Sequence, residues 1–271
     1  MLYLRCMRME REPETPLVRF AETTPLYTLG ELEDRYKSRS TSRSVRNVIY
    51  GLAAQGRVRA VARGVYAGTL VRSPFNRYAL PPKLVPDALI AFHSALEYAG
   101  VANQIFHTVY YLSHRARKDV VFDQTTFHRV APPRRLVRLG QADFQVETRP
   151  EGVRVTGRER SFLDCLMMLE YSGGLDELDR CLAMYPSFDF ELGFKYLRLL
   201  SRPWLYARAG YLLDRHAKRL FFEAKWRDMF LRRVPRGVVY LGRKQPGGRW
   251  VPTWNLMVPP GLLPASAEGS A

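Results

Sequence analysis

Between Val45 and Ala67 the spacing of apolar residues changes period, and this change restricts the fold more than any other feature of the sequence. Val45, Val48, Ile49, Leu52 and Ala53 recur at i, i+3, i+4, i+7 and i+8, the stripe of a helix that lays one face on a core. Gly56 then ends the helix, since glycine enters the left-handed conformation there without steric cost. Arg57-Val-Arg-Ala-Val-Ala62 alternates with period two, Arg63-Gly64 supplies a turn, and Val65-Tyr66-Ala67 starts a return strand. A helix feeding directly into a short hairpin is expected. Upstream, Pro16 followed by Leu17, Val18 and Phe20 reads as a first helix. Thr28-Leu-Gly-Glu31 fits the capping box of a second, which places Leu29, Leu32 and Tyr36 on one face.

Three helices, a polar turn from Ser38 to Ser42 before the third, and a hairpin follow the order of a winged helix-turn-helix domain. The charge on this segment is one-signed. No carboxylate occurs between Asp34 and Asp87, whereas Arg35, Lys37, Arg39, Arg43, Arg46, Arg57, Arg59, Arg63, Arg72, Arg77 and Lys83 all do, in a chain whose net charge is +16. Such a surface suits the neutralisation of phosphates and the release of their counterions, so double-stranded DNA is the expected partner. The third helix would enter the major groove, with Arg43, Arg46 and Asn47 as base readers, because Arg grips guanine and Asn adenine bidentately. Tyr50 shares their outer face. Ser40, Thr41 and Ser42 compete for the N-cap, and those that lose it are free to contact phosphate. Arg57, Arg59 and Arg63 on the hairpin would lie along the DNA backbone. Contact with an acidic protein is the alternative use of the same surface.

The chain divides by texture into a charged arm (1–14), the winged helix-turn-helix (15–72), a Pro-rich linker (73–86), a larger mixed domain (87–258) and a tail (259–271). Pro74, Pro81, Pro82 and Pro86 should hold the linker extended. Beyond it, Leu89–Ala99 reads as a helix closed by Gly100. Thr108–Ser113, Gln124–Val130, Phe144–Thr148 and Val153–Thr156 read as strands. A second capping box at Thr156-Gly-Arg-Glu159 opens a helix, and Leu175–Met184, Phe190–Leu200 and Leu205–Arg215 read as further helices. The fold class expected is α+β. No apolar run approaches the roughly 20 residues of a membrane span, and the first residues have no secretion-signal pattern, so a cytoplasmic protein without membrane contact is expected. Cys6, Cys165 and Cys181 are too few and too scattered for a disulfide framework.

Motifs for chemistry are sparse, and no enzyme, cofactor, metal or catalytic residue is expected. His93, His107, His114, His128 and His216 lack metal-ligand spacing, and neither a phosphate-binding nor a nucleophile-elbow motif occurs. Glu223 and Lys225, with Asp214 upstream, form half of a magnesium-dependent nuclease pattern, placed on a helix; a nuclease is the less favoured alternative. Trp250 and Trp254 flank a late turn and read as core packing before base stacking. Lys225, Arg227, Arg232, Arg233, Arg236, Arg243, Lys244 and Arg249 make a second basic cluster with no assigned partner.

From about Leu17 to Val258 the chain resembles the AbiEi family of antitoxins of type IV toxin-antitoxin and abortive-infection systems. Four stretches carry the resemblance: Gly56-Arg-Val-Arg-Ala-Val-Ala-Arg-Gly-Val-Tyr66, Ala91-Phe-His-Ser-Ala-Leu-Glu-Tyr-Ala-Gly100, Val155-Thr-Gly-Arg-Glu-Arg-Ser-Phe-Leu-Asp164 and Arg208-Ala-Gly-Tyr-Leu-Leu213. The resemblance implies a transcriptional autorepressor that binds repeats upstream of its own operon through the winged helix. It also implies a C-terminal domain that counteracts a nucleotidyltransferase toxin without a stable complex. A stand-alone DNA-binding regulator with no toxin is the alternative.

Overall fold

The chain divides into two compact units, Met1–Leu84 and Val85–Ala271. A computed structural model describes residues 15–71 and 75–263, so the expected arm and residues 264–271 of the expected tail lie outside the described residues.

In the first unit, α1 (Pro16–Thr23) begins where the Thr15 hydroxyl accepts from Val18 N at 3.4 Å. β1 (Tyr27–Thr28) leads into α2 (Leu29–Tyr36), and the capping box forms: Thr28 N donates to Glu31 Oε2 at 2.8 Å while Glu31 N donates to Thr28 Oγ1 at 3.1 Å. α3 (Ser42–Ala54) is capped by Thr41, whose hydroxyl accepts from Ser44 N at 3.2 Å. Gly56 follows with φ of 71°, as its position past the helix end requires. β2 (Val58–Ala62) and β3 (Val65–Gly68) form the hairpin, with an irregular register between Ala60 and Ala62. β1, too short to be legible in the sequence, pairs antiparallel with β3, giving the strand order β1-β3-β2. The core holds Leu17, Ala21, Tyr27, Leu32, Tyr36, Val45, Ile49, Leu52, Val58 and Tyr66, with Val48 and Ala53 at its rim. Gly68 is packed so tightly against the end of α1 that a Cβ there would lie 2.2 Å from Glu22 O.

Residues 77–84 depart from the extended linker expected. Arg77–Ala79 form a 3-10 turn, and α4 (Leu80–Leu84) follows with Leu80 and Leu84 buried. Pro81 and Pro82 sit in the first turn, where a helix has no use for the N–H they lack. Lys83 forms an ion pair with Glu31 of α2.

The second unit is built on a six-stranded mixed sheet. β4 (Leu89–Ile90) is central, antiparallel to β5 (Thr108–Leu112) and parallel to β9 (Arg154–Thr156). β7 (Thr125–Val130) pairs parallel with β5, while the edges are β6 (Val120–Phe122) and β8 (Val146–Thr148). The helix expected from Leu89 starts later: Leu89 and Ile90 are buried in a strand, and α5 (Phe92–Tyr98) begins at Phe92, which turns the chain with φ of 56°. The short α6 (Arg134–Arg138) precedes β8, and α7 (Arg158–Met167) packs on α5. The expected capping box at Thr156 does not form. Gly157 is the N-cap, Thr156 Oγ1 instead meets Ser161 Oγ at 2.7 Å, and Glu159 accepts from Asp189 N at 3.1 Å. Tertiary partners outcompete the local one. α8 (Leu175–Met184), α9 (Phe190–Leu200), α10 (Pro203–Arg215), α11 (Ala217–Leu220) and α12 (Ala224–Leu231) complete the helical half. A small sheet of β10 (Val239–Tyr240), β11 (Arg249–Val251) and β12 (Leu256–Val258) follows, in the order β10-β12-β11. Residues 259–263 are packed rather than frayed: Leu262 is buried, and its carbonyl accepts from Tyr211 OH and from Arg215 at 2.8 Å. The molecule is α+β in class.

Candidate nucleic-acid interface

α3 buries Val45, Ile49 and Leu52 and therefore turns its polar residues outward. Thr41, Ser42, Arg43, Arg46, Asn47 and Tyr50 are exposed, and Ser40 is half-buried. Arg43, Arg46, Asn47 and Tyr50 are three or four residues apart, so they share one face of the helix. On the hairpin, Arg57, Arg59 and Arg63 are exposed as well. All ten residues expected at the interface thus belong to the first unit, and nine present themselves to solvent.

Their charge is less one-signed than the sequence window suggests. Arg46 Nε donates to Glu33 Oε1 at 2.6 Å and its Nη2 to Oε2 at 3.4 Å, and this contact holds the Glu33 carboxyl below its ordinary range. Arg57 pairs with Glu22, a carboxylate only 3% exposed. The acids come from α1 and α2, outside the acid-free run, and the fold brings them back to it. Arg43 and Arg63 have no carboxylate partner among the described residues. Glu33 fixes one edge of the Arg46 guanidinium and leaves Nη1 open, while Arg43 and Asn47 flank it without ion pairs. A planar donor fork beside an amide is the donor set that reads base edges.

The second basic cluster is dispersed. Lys225 pairs with Glu223 at 3.0 Å, Arg227 with Asp214 at 3.1 Å, and the Arg233 guanidinium lies 4.8 Å from the Phe194 ring centroid. The nuclease pattern does not assemble. Asp214 is taken up by Arg227 and by Trp254 Nε1 at 3.1 Å, and the segment breaks between α11 and α12, where Phe221 has φ of 55°, so it does not lie on one helix as expected. Trp254 is buried against Gly210, where a Cβ would meet its ring at 2.1 Å, whereas Trp250 is exposed.

Sequence spacing missed a buried polar hub. His93, Glu177 and Cys181 place one potential metal-ligand atom each within 4.8 Å of one another, the one such group among the described residues. Glu177 accepts from His93 Nε2 at 3.0 Å, from Asn103 N at 3.1 Å, from Gln104 N at 3.0 Å, from Asn103 Nδ2 at 3.0 Å and from Cys181 Sγ at 3.2 Å. Burial opposes the charge on Glu177, but these donors outweigh it and hold the carboxyl below its ordinary value. Burial pushes the Cys181 thiol up to about 12, so the sulfur keeps its proton and donates it. With both oxygens committed, the set acts as a clasp on the loop at 103–104. His93 and Glu177 are 84 residues apart, beyond any spacing rule; the one local sign was Glu177 four residues before Cys181, on the buried face of α8.

A scan of family models gives no match to the chain, and a search of curated proteins gives none either. Among solved structures the chain is similar to the crystal structure of the RV2827C protein from Mycobacterium tuberculosis, at 18% identity, with 89% of each chain covered and a TM-score of 0.59. That likeness is one of fold alone.

Proposed function

We propose that the chain is a DNA-binding transcriptional autorepressor whose first unit is a winged helix-turn-helix. α3 serves as the reading helix and the β2–β3 hairpin as the wing. The observation that carries this reading is the outward face of α3, where Arg43, Arg46, Asn47 and Tyr50 stand exposed above a fully formed apolar stripe. Phosphate contacts fall to Arg59, Arg63 and the hydroxyls of Ser40 and Ser42, while Arg46 and Arg57 exchange Glu33 and Glu22 for DNA or share them with it. The antitoxin role, exerted in the cytoplasm against a nucleotidyltransferase toxin, rests on the four stretches that resemble the AbiEi family.

The test is anisotropy of labelled DNA carrying the sequence upstream of the chain's own gene, against shuffled DNA, at two salt concentrations. At least tenfold tighter binding to the native sequence, erased by Arg43→Ala/Arg46→Ala, is the expected result. Equal binding to both DNAs, or a preference that survives the double variant, would remove α3 as the reader. For the antitoxin role, co-expression with a nucleotidyltransferase encoded beside the gene should restore growth; no rescue leaves a stand-alone regulator.

A further inference from the structure

Three arginines of the second unit meet at one cleft of its surface. Arg198 in the last turn of α9, Arg202 at the N-cap of α10 and Arg233 just beyond α12 line one cleft of about 310 Å³ together with Ser201, Pro203 and Tyr206. None of the three arginines has a carboxylate partner among the described residues. Arg149, Arg154, Arg160, Arg215 and Arg227 of this unit each have one. Three cations converging on one concavity repel one another, and an anion seated among them removes that penalty.

The surroundings fit an oxyanion. Arg233 is laid across aromatic rings, 4.8 Å from the Phe194 centroid and 6.0 Å from that of Tyr206, which orients its planar fork before any ligand arrives. Ser201 is the left-handed C-cap of α9, φ 53° and ψ 49°, which ends that helix at the cleft. Ser201 thus lines the cleft beside Arg198 and Arg202. α10 starts there with no side-chain cap and no acid in its first turn, so its positive end adds to the same field.

We propose that this cleft binds the polyphosphate chain of a small molecule, with nucleoside di- and triphosphates as the ligand class. Three guanidiniums exceed what one phosphate monoester needs, since it carries about −1.5 to −2 charges at neutral pH, and they match a chain of two or three phosphates. The volume lies at the lower end of small-molecule sites, about 300 Å³, which suits a phosphate chain with the nucleoside projecting outward. A nucleic-acid strand, with one charge per phosphodiester, would call for a track of separated cations rather than three at one point.

Calorimetric titration of the full chain in 150 mM salt tests the assignment, with tripolyphosphate, pyrophosphate, ATP and GTP against orthophosphate, AMP and a twelve-residue single-stranded oligonucleotide. Tripolyphosphate and the triphosphates should bind at least tenfold tighter than AMP and orthophosphate. Arg198→Gln/Arg202→Gln, both exposed side chains, should weaken binding at least tenfold, and Arg233→Lys should weaken it too, because a lysine keeps the charge and loses the fork. Arg43→Ala/Arg46→Ala should leave it unchanged, which keeps this site separable from the DNA-binding reading. Absence of tripolyphosphate binding, binding that survives all cleft variants, or binding confined to the oligonucleotide would each overturn the proposal.

Discussion

The two units use the same residue type for opposite ends. In the second unit arginine is largely a structural donor: Arg129, Arg135, Arg208, Arg215 and Arg219 each donate to backbone carbonyls, and Arg160 is fully buried between Asp164 and the carbonyls of Ala142 and Phe144. In the first unit Arg43, Arg46, Arg57, Arg59 and Arg63 are exposed, and glutamates hold Arg46 and Arg57. A positive net charge therefore says little until it is known which guanidiniums the fold consumes. The small unit has little interior to absorb long side chains, so its charge stays outside.

The sharpest way to break this comparison is Arg160→Ala. Asp164 is already raised above its ordinary value by burial, and removal of its partner strands a buried acid, so a loss of about 3–5 kcal/mol is expected. Amide exchange should show the loss in residues 85–263 with protection in 15–71 unchanged; equal loss in both would mean the units are not independent. Glu177→Ala comes next. It orphans the buried His93 Nε2 donor, at about 1–3 kcal/mol, and releases the N–H groups of Asn103 and Gln104 to solvent. The intact clasp also predicts acid sensitivity. The Glu177 carboxyl is lower in the folded state than its ordinary 4.5, so its contribution is complete above that pH and drains as pH falls through the folded value. Denaturant midpoints measured from pH 7 to pH 3 should fall more steeply for the wild type than for Glu177→Gln.

Smaller effects sharpen the other side. Gly68→Ala forces a methyl onto the Glu22 carbonyl and should destabilise the first unit by about 1–3 kcal/mol, visible as loss of amide protection there. Thr41→Ala removes the α3 cap at a cost of about 1 kcal/mol, read from the same exchange experiment. Glu33→Gln releases Arg46 and should strengthen DNA binding by no more than a few-fold, with a steeper salt dependence; weaker binding would mean that Glu33 orients Arg46 rather than competing for it.

What the sequence made legible was local. The capping box at Thr28, the α3 stripe and the Gly56 stop all depend on neighbours within a turn or two, and each formed as read. The misreadings came where partners were distant. Thr156 found Ser161 and Glu159 found Asp189, so the same four-residue signature that worked at Thr28 failed there. Leu89 and Ile90 sit in a run whose apolar spacing suited a helix, and only the sheet around them decided for a strand. On the candidate interface, the outward face of α3 was legible from periodicity, while the Glu33 and Glu22 partners of Arg46 and Arg57 were not, because a run without acids says nothing about acids folded onto it.

The seat of Trp254 against Gly210 has a practical counterpart in light emission. All four tryptophans, Trp204, Trp226, Trp250 and Trp254, fall in the second unit, and the first has tyrosines alone. Ultraviolet excitation at the red edge of the indole band thus reports one half of the molecule and is blind to the other. A ligand seated at the α10 cleft, beside Trp204, would change that emission.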